Sequence, residues 1–254
     1  MYRPRLPAAV LALSLMGGQP LHAGLPAGDR ADAPGATARQ TATVGATMTR
    51  RNDVPASEAR AKAALDASPR HSEWMNVLSG GTSIRTFIVH PVRRGRGPVA
   101  IVISDNRGMN DWIRSVGDQL AAEGFTAMVP DLWSGLGPAG GDSESFASAD
   151  ERTRAIGRLS REETVRRLQA VWEYAIRLPA INERIAVVGF GWGADRALEY
   201  AEEQPMVAAA VTFDGMSPSR TVLAKTSTPV LALFGDLDAQ AWPKAMAFLR
   251  QHTN

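Results

Sequence analysis

The stretch Ile185–Ala194, I-A-V-V-G-F-G-W-G-A, predicts the local fold at the centre of the chain. It begins with an apolar, β-branched run of the kind found in strands that are buried on both faces. Three glycines at alternate positions then indicate a tight turn, and a helical pattern follows over 194–203. Gly191 stands at the middle of the turn, so the tip of this strand–turn–helix carries no side chain.

Strands and helices alternate on both sides of this stretch. Apolar runs at 99–103, 125–129, 207–213 and 229–234 indicate further strands. Helical patterns cover 111–122, 160–176, 194–203 and 242–250, and the third of these is the helix that follows the glycine turn. Strands that alternate with helices predict an α/β fold: a doubly wound, mostly parallel sheet with helices on both faces.

The folded domain is predicted to span 72–254. Two strand-like runs, 74–78 and 83–89, flank Ser79–Thr82 and predict a hairpin at its start. The preceding segment, 24–71, is rich in Ala, Gly, Thr and Pro and has no clear periodicity apart from a weak helical pattern at 57–67. We interpret it as a flexible leader.

The first residues have the pattern of a secretory signal peptide. Arg3 and Arg5 precede an apolar run at 7–16, and a small residue, Ala23, follows at the place where cleavage is expected. The run is far shorter than the ~20 residues that span a bilayer, so we expect export of the mature protein without a stable membrane anchor. Cleavage after Ala23 would define residues 1–23 as the signal peptide.

The charge balance excludes some classes of partner. The whole chain has 28 basic and 26 acidic residues, and residues 1–23 contain two arginines and no acidic residue, so the formal charge of the mature chain falls from +2 to zero. This composition gives no reason to expect nucleic acid or anionic lipid as a partner. The chain has no cysteine, which excludes disulfides and cysteine metal sites.

Four segments together resemble the dienelactone hydrolase family of α/β-hydrolases, and the resemblance covers the chain from about Trp74 to its end. Residues 99–112 are similar to the family's third strand and the loop after it, and 120–132 to its next helix, strand and Pro-Asp-Leu ending. Residues 188–194 are similar to its nucleophile elbow, V-G-F-C-x-G-G, and 229–243 to the strand and turn that bear the triad aspartate.

The resemblance implies hydrolysis of a small ester or lactone by a Cys–His–Asp triad. In this sequence the triad acid would be Asp238, and Asp105 would take the place of an acidic residue that interacts with the nucleophile. The backbone N–H groups of Asn106 and Trp192 would form the oxyanion hole. Neither a cofactor nor a metal ion is implied.

Two triad members are missing from their expected places. The nucleophile position is Gly191, and His252, the only histidine after Asp238, comes too early and at the end of a predicted helix. An elbow nucleophile has a strained, positive φ that glycine adopts easily. Gly191 is therefore either a relic of a nucleophile site that is no longer needed or a tight turn that requires glycine. The last elbow glycine is Ala194, a milder departure.

The family's last strand and helix have no counterpart after 242–250. The strand at 229–234 would then lie at the edge of the sheet, where an apolar strand invites pairing with another chain. We therefore expect self-association through 229–234. The alternative is a frameshifted or incomplete gene, in which the lost segment also held the histidine.

Other residues have two interpretations each. Arg107 would bind a substrate carboxylate or would be a solvated loop residue, and Trp133 and Trp192 would line an apolar cleft or would pack in the core. Asp214, Asp236 and Asp238 are interpreted as turn residues rather than as a metal site.

Three functions remain open at this point. The first is a family member whose hydrolase activity is impaired because Gly191 offers no nucleophile and no histidine is in place. The second is a binding protein that holds a small carboxylate or lactone in the retained cleft, with Arg107 and the two backbone N–H groups as contacts. The third is a hydrolase that uses Asp105, or a water molecule held by Asp238.

Overall fold

The computed structural model describes residues 54–216, 226–235, 237 and 239–254. The predicted signal peptide and most of the predicted leader lie outside these ranges. The strands are β1 (Ser72–Ser79), β2 (Thr82–Val89), β3 (Gly97–Ile103), β4 (Thr126–Pro130), β5 (Ile181–Phe190), β6 (Val207–Phe213) and β7 (Val230–Leu233). The described α-helices are α1 (Glu58–Asp66), α2 (Asp111–Ala122), α3 (Ala149–Ile156), α4 (Arg161–Ile176), α5 (Trp192–Glu203) and α6 (Ala241–Thr253).

The described strands form one mixed sheet in the order β1-β2-β4-β3-β5-β6-β7. The β1–β2 hairpin and the β2–β4 pair are antiparallel, and β4, β3, β5, β6 and β7 run parallel to one another. The predicted α/β-hydrolase-like, mostly parallel sheet is thereby confirmed. Gly80 and Gly81 both have positive φ and close the predicted hairpin.

The core consists of two layers, one on each face of the sheet. Alternate residues of β3 show this division: Ile101 and Ile103 belong to the layer covered by α4 and α5, while Ala100 and Val102 belong to the layer covered by α2 and α6. All four are fully buried. Full burial of an Ile or Val side chain contributes about 1.5–3 kcal/mol to the free energy of unfolding. Strands that are apolar on both faces therefore hold helices on both faces of the sheet.

The helix starts agree with local sequence signals. Ser160 caps α4, and its hydroxyl accepts a hydrogen bond from the backbone N–H of Glu163 at 3.1 Å, as the capping-box spacing predicts. Asn110 caps α2 in the same way through the N–H of Ile113. These caps fix where both helices leave the loops at the carboxyl ends of the strands.

The structure places α1 in the part of the chain assigned above to the leader. The weak helical pattern at 57–67 is a real helix, and α1 packs against α2, with Ala61 fully buried. An ion pair between Arg70 and Asp118 joins the segment after α1 to α2. The buried Ala61 and the partly buried Leu65, rather than a long apolar stripe, hold this helix, which is why its sequence pattern is weak.

The strand β7 pairs with β6 and has no neighbour on its outer side among the described residues. All four of its residues are buried, and the outer backbone N–H and C=O groups of this strand have no strand partner in the described part of the chain. None of the helices in the described ranges combines the length and apolarity that a membrane crossing requires.

Candidate functional site

The turn between β5 and α5 has the backbone of a nucleophile elbow. Gly191 lies between the last residue of the strand and the first residue of the helix, with φ 49° and ψ −116°. Its N–H donates a hydrogen bond to the carbonyl of Phe213 on β6 at 2.8 Å, which anchors the turn to the neighbouring strand. A residue with a Cβ is strained in this conformation by about 1–3 kcal/mol, and such strain is typical of functional turns.

The glycines on either side of Gly191 are required by close packing. A Cβ on Gly189 would overlap the carbonyl of Gly193 and lie 2.7 Å from the Cα of Ala194. A Cβ on Gly193 would overlap the carbonyl oxygens of Ile103 and Ser104. These contacts are with backbone, which cannot move aside easily, so positions 189 and 193 exclude any larger residue.

Position 191 differs because the space around it is open. A Cβ built on Gly191 would meet, among the described residues, the Cβ of Asp105 at 3.4 Å, which is an ordinary contact distance. Sterically, the site could hold the side chain of a nucleophile. The site therefore lacks an attacking atom because residue 191 is glycine, and not because the surrounding residues leave no space for one.

Gly191 lies in the wall of a cleft of about 570 Å³ at the carboxyl ends of the parallel strands. Ligands of open α/β sheets bind at this edge. The lining combines the loop after β3, the elbow, the loop after β6 and the end of α3, through Asp105, Asn106, Thr153, Ile156, Gly157, Gly191, Trp192, Asp195, Asp214 and Met216.

The two predicted oxyanion donors both line this cleft. Within the described part of the chain, neither the N–H of Asn106 nor that of Trp192 has a hydrogen-bond acceptor. Trp192 is the first residue of α5, so its N–H is one of the helix-start groups that have no partner within the helix. The structure thus brings a helix N-terminus and a loop N–H into the same cleft as Gly191, where a polarised oxygen could be held.

Arg107 is turned away from the cleft and is paired with two carboxylates. Its Nε donates to Asp105 Oδ2 at 2.7 Å, its backbone N–H donates to Asp105 Oδ1 at 3.0 Å, and its guanidinium also pairs with Glu58 of α1. Burial lowers the pKa of Arg107, but the hydrogen bonds to Glu58 and Asp105 outweigh this effect and leave the pKa raised. The predicted carboxylate-binding side chain is therefore committed to a salt-bridge network.

Of the two interpretations given for Trp133, cleft lining and core packing, the structure supports core packing. Its side chain is fully buried, with Nε1 donating to the carbonyl of Arg152 at 3.0 Å. Its ring contacts that of Trp192, with 5.7 Å between the ring centroids. The partly buried Trp192 does line the cleft. Trp133 packs behind Trp192 and is itself in contact with α3 through Arg152.

For the other two triad positions the structure describes only His252, the candidate histidine. Asp238 and its neighbour Asp236 lie outside the described residues, so the structure does not describe the triad acid. His252 is in the last turn of α6, where its ring packs edge-on against Phe248 with 4.6 Å between the centroids. None of the described histidines lines the cleft.

Two carboxylates of the cleft were missed by the sequence analysis as site residues. Asp195, in the first turn of α5, accepts the N–H of Met216 at 3.0 Å, and Asp214, at the end of β6 with φ 52°, accepts the N–H of Gly235 at 2.8 Å. Their positions in the sequence could have indicated them. Residues that directly follow parallel strands, and those at the start of the elbow helix, lie together at one edge of the sheet.

A buried aspartate braces the loop that carries the first oxyanion donor. Asp131 accepts the hydroxyl of Ser143 at 2.7 Å, and the same hydroxyl oxygen accepts the N–H of Met109 at 3.0 Å. Burial raises the pKa of Asp131, and hydrogen bonds from Ser143 and Trp133 offset part of that rise. Asp131 of the Pro-Asp-Leu motif therefore fixes Met109, at the end of the 105–109 loop, through Ser143.

Comparisons with known proteins agree with this geometry. The sequence model of the dienelactone hydrolase family matches residues 84–253. A carboxymethylenebutenolidase of a Pseudomonas species is 36% identical over 115 residues, which cover 43% of this chain and 47% of that protein. A "probable 2-oxo-3-(5-oxofuran-2-ylidene)propanoate lactonase" of Bradyrhizobium sp. is 26% identical over 188 residues, which cover 69% of this chain and 73% of the relative.

The fold has a counterpart among solved structures. A dienelactone hydrolase-like promiscuous phosphotriesterase from metagenomic libraries superposes with a TM-score of 0.59 at 17% sequence identity, over 73% of this chain and 99% of that one. At this level of identity the likeness supports the architecture alone.

Proposed function

This chain belongs to the dienelactone hydrolase family, and we propose that it keeps the family's cleft while having lost covalent ester and lactone hydrolysis there. The observation that carries the proposal is Gly191, which has the elbow conformation, lines the cleft and offers no side chain. The family suggests small esters or lactones as the molecules that enter this cleft.

The chemistry of the family explains the expected loss. A nucleophile forms a bond to the carbonyl carbon, the C–O bond to the leaving group breaks, and water then releases the acyl group. Glycine has no atom that can form the first bond. In a triad hydrolase, removal of the nucleophile lowers kcat by about 10⁶.

The charge pattern of the cleft also disfavours a substitute base. The Asp105 side chain is the one that a Cβ at position 191 would contact among the described residues, and both of its carboxylate oxygens accept hydrogen bonds from Arg107. One oxygen is engaged by the Arg107 side chain and the other by its backbone N–H, so Asp105 is already committed to Arg107. Activation of a water molecule by Asp105 is therefore disfavoured.

A second candidate function is non-catalytic binding, which the two unpaired N–H donors favour. A cleft of about 570 Å³ is large enough for a small molecule. The N–H groups of Asn106 and Trp192 would receive a carbonyl oxygen, and the Trp192 ring would cover an apolar part. Because Asp105, Asp195 and Asp214 also line the cleft, a neutral ester or lactone fits better than a free carboxylate.

A paired measurement tests these proposals. The full chain would be assayed for turnover of p-nitrophenyl acetate and of a dienelactone, with a family member that has the Cys nucleophile as positive control. We expect rates equal to those of buffer, together with a rise in Tm when an unreactive lactone is added. Saturable turnover would contradict the loss of hydrolysis, and an unchanged Tm at high lactone concentration would contradict the binding function.

A further inference from the structure

The hairpin at the edge of the sheet opposite β7 brings together three side chains that could ligate a metal ion. Residues 71 and 90 directly extend the β1–β2 register, in which Ser72 pairs with Val89. The backbone confirms this pairing, since the N–H of His90 donates to the carbonyl of His71 at 2.9 Å. Side chains two residues apart in a strand lie on one face, so Glu73 joins His71 on the face where His90 also lies.

The ligand atoms of these three residues are close to one another. One ligand atom from each of His71, Glu73 and His90 lies within 4.8 Å of the other two. His90 Nε2 is 2.9 Å from Glu73 Oε1, and the rings of His71 and His90 stack with 5.5 Å between their centroids. Tetrahedral zinc with nitrogen and oxygen ligands at ~2.0–2.2 Å needs ligand atoms ~3.4 Å apart, so small side-chain rotations would complete the set.

The charge and the access of the cluster also suit a cation. His71 is exposed, and His90 and Glu73 keep 30% and 41% of their side chains accessible, so an ion can enter from solvent. The nearest basic residue in sequence, Arg70, is paired with Asp118 and does not neutralise Glu73. Two imidazoles and one carboxylate are the ligands that zinc and related divalent transition metals prefer.

We propose that His71, Glu73 and His90 form a binding site for a divalent transition metal ion of the zinc type. The ion would join the beginning of β1 to the end of β2. This is the open end of the hairpin, opposite the Gly80–Gly81 turn. Because β1 is an edge strand that pairs with β2 alone among the described strands, this link would hold β1 to β2. The site is separate from the cleft at Gly191 and independent of the function proposed for it.

Calorimetric titration of the full, tag-free chain with Zn²⁺ tests the proposal. We expect one zinc ion per chain, and His71→Ala and His90→Ala each to weaken the affinity at least about tenfold, since even loss of a residue that supports a ligand has an effect of that size. Glu73→Gln, which keeps the size of the side chain, should also weaken binding. His252→Ala, which removes a histidine from α6, is the matched control and should leave the affinity unchanged.

A spectroscopic measurement covers the case in which an alanine variant fails to fold. Electron paramagnetic resonance of the unmodified chain with one equivalent of Cu²⁺ should show coupling to two imidazole nitrogens. The proposal is overturned if the unmodified chain binds no zinc, if the His71→Ala/His90→Ala double variant binds zinc as tightly, or if the copper spectrum shows no nitrogen coupling.

Discussion

Gly191 of the elbow lies next to Asp105 of the loop after β3, and a Cβ at position 191 would lie 3.4 Å from the Cβ of Asp105. The scaffold thus retains room for a side chain at the one place where the family's chemistry would need it. Gly189 and Gly193 have no such room. Tight packing therefore requires glycine at 189 and 193, whereas position 191 could hold an attacking side chain.

The first prediction concerns replacement of the missing nucleophile. Gly191→Cys should fold, with a loss of about 1–3 kcal/mol in the free energy of unfolding, because the side chain fits but the φ of 49° is strained. It should remain inactive toward esters, since none of the described histidines lines the cleft to serve as base. Urea unfolding and ester turnover measure the two effects. Strong activity in this single variant would contradict the missing-base account.

The second prediction uses the adjacent glycine as a matched comparison. Gly193→Ala adds the same methyl group as Gly191→Ala, but it would overlap the backbone carbonyls of Ile103 and Ser104. We expect a loss of about 3 kcal/mol or more at 193, larger than the loss at 191, because overpacking against backbone cannot relax. Thermal unfolding of both alanine variants provides the measurement. Equal losses at the two positions would show that 191 is as crowded as 193.

Much of this architecture could be predicted from local sequence patterns. The apolar runs at 99–103 and 207–213 become buried parallel strands, and the Ser160–Glu163 spacing becomes a helix cap. These features depend on neighbouring residues, so periodicity and capping chemistry reveal them.

The positions of some site residues depend on tertiary contacts and could not be predicted in the same way. Arg107 pairs with Glu58, a residue 49 positions away on a helix that the sequence signals weakly. Trp133 is buried because α3 folds over it, and no periodicity in the loop before α3 indicates that arrangement. The three-residue cluster of His71, Glu73 and His90 also becomes visible only when the strand register is known.

The third prediction concerns Arg107. Arg107→Gln leaves Asp105 and Glu58 without their cation, and since all three groups are partly exposed the stability should fall by only about 1 kcal/mol or less. The loop that carries the Asn106 N–H loses its brace, so affinity for lactone and carboxylate ligands should fall by similar factors.

Calorimetric titrations with one lactone and one carboxylate ligand test this prediction. Arg114→Gln is a suitable control because Arg114 pairs with Asp111 and does not line the cleft. A loss confined to carboxylate ligands would instead mean that Arg107 binds the carboxylate directly.

The fourth prediction concerns the open edge of β7. We propose that the chain self-associates there, because β7 is an apolar strand with no strand paired to its outer side among the described residues. Sedimentation velocity over a range of concentrations should show a growing fraction of dimers or larger species. A single monomeric species at every concentration would contradict the proposal.

The most direct test of the central claim is whether the chain can form a covalent acyl intermediate. The purified full chain would be incubated with p-nitrophenyl acetate and separately with a dienelactone, then quenched and weighed by intact mass spectrometry. We predict that no acyl group becomes attached at the cleft, because Gly191 has no atom to attack the carbonyl. One acyl group per chain, mapped by peptide sequencing to a residue that lines the cleft, would contradict the account.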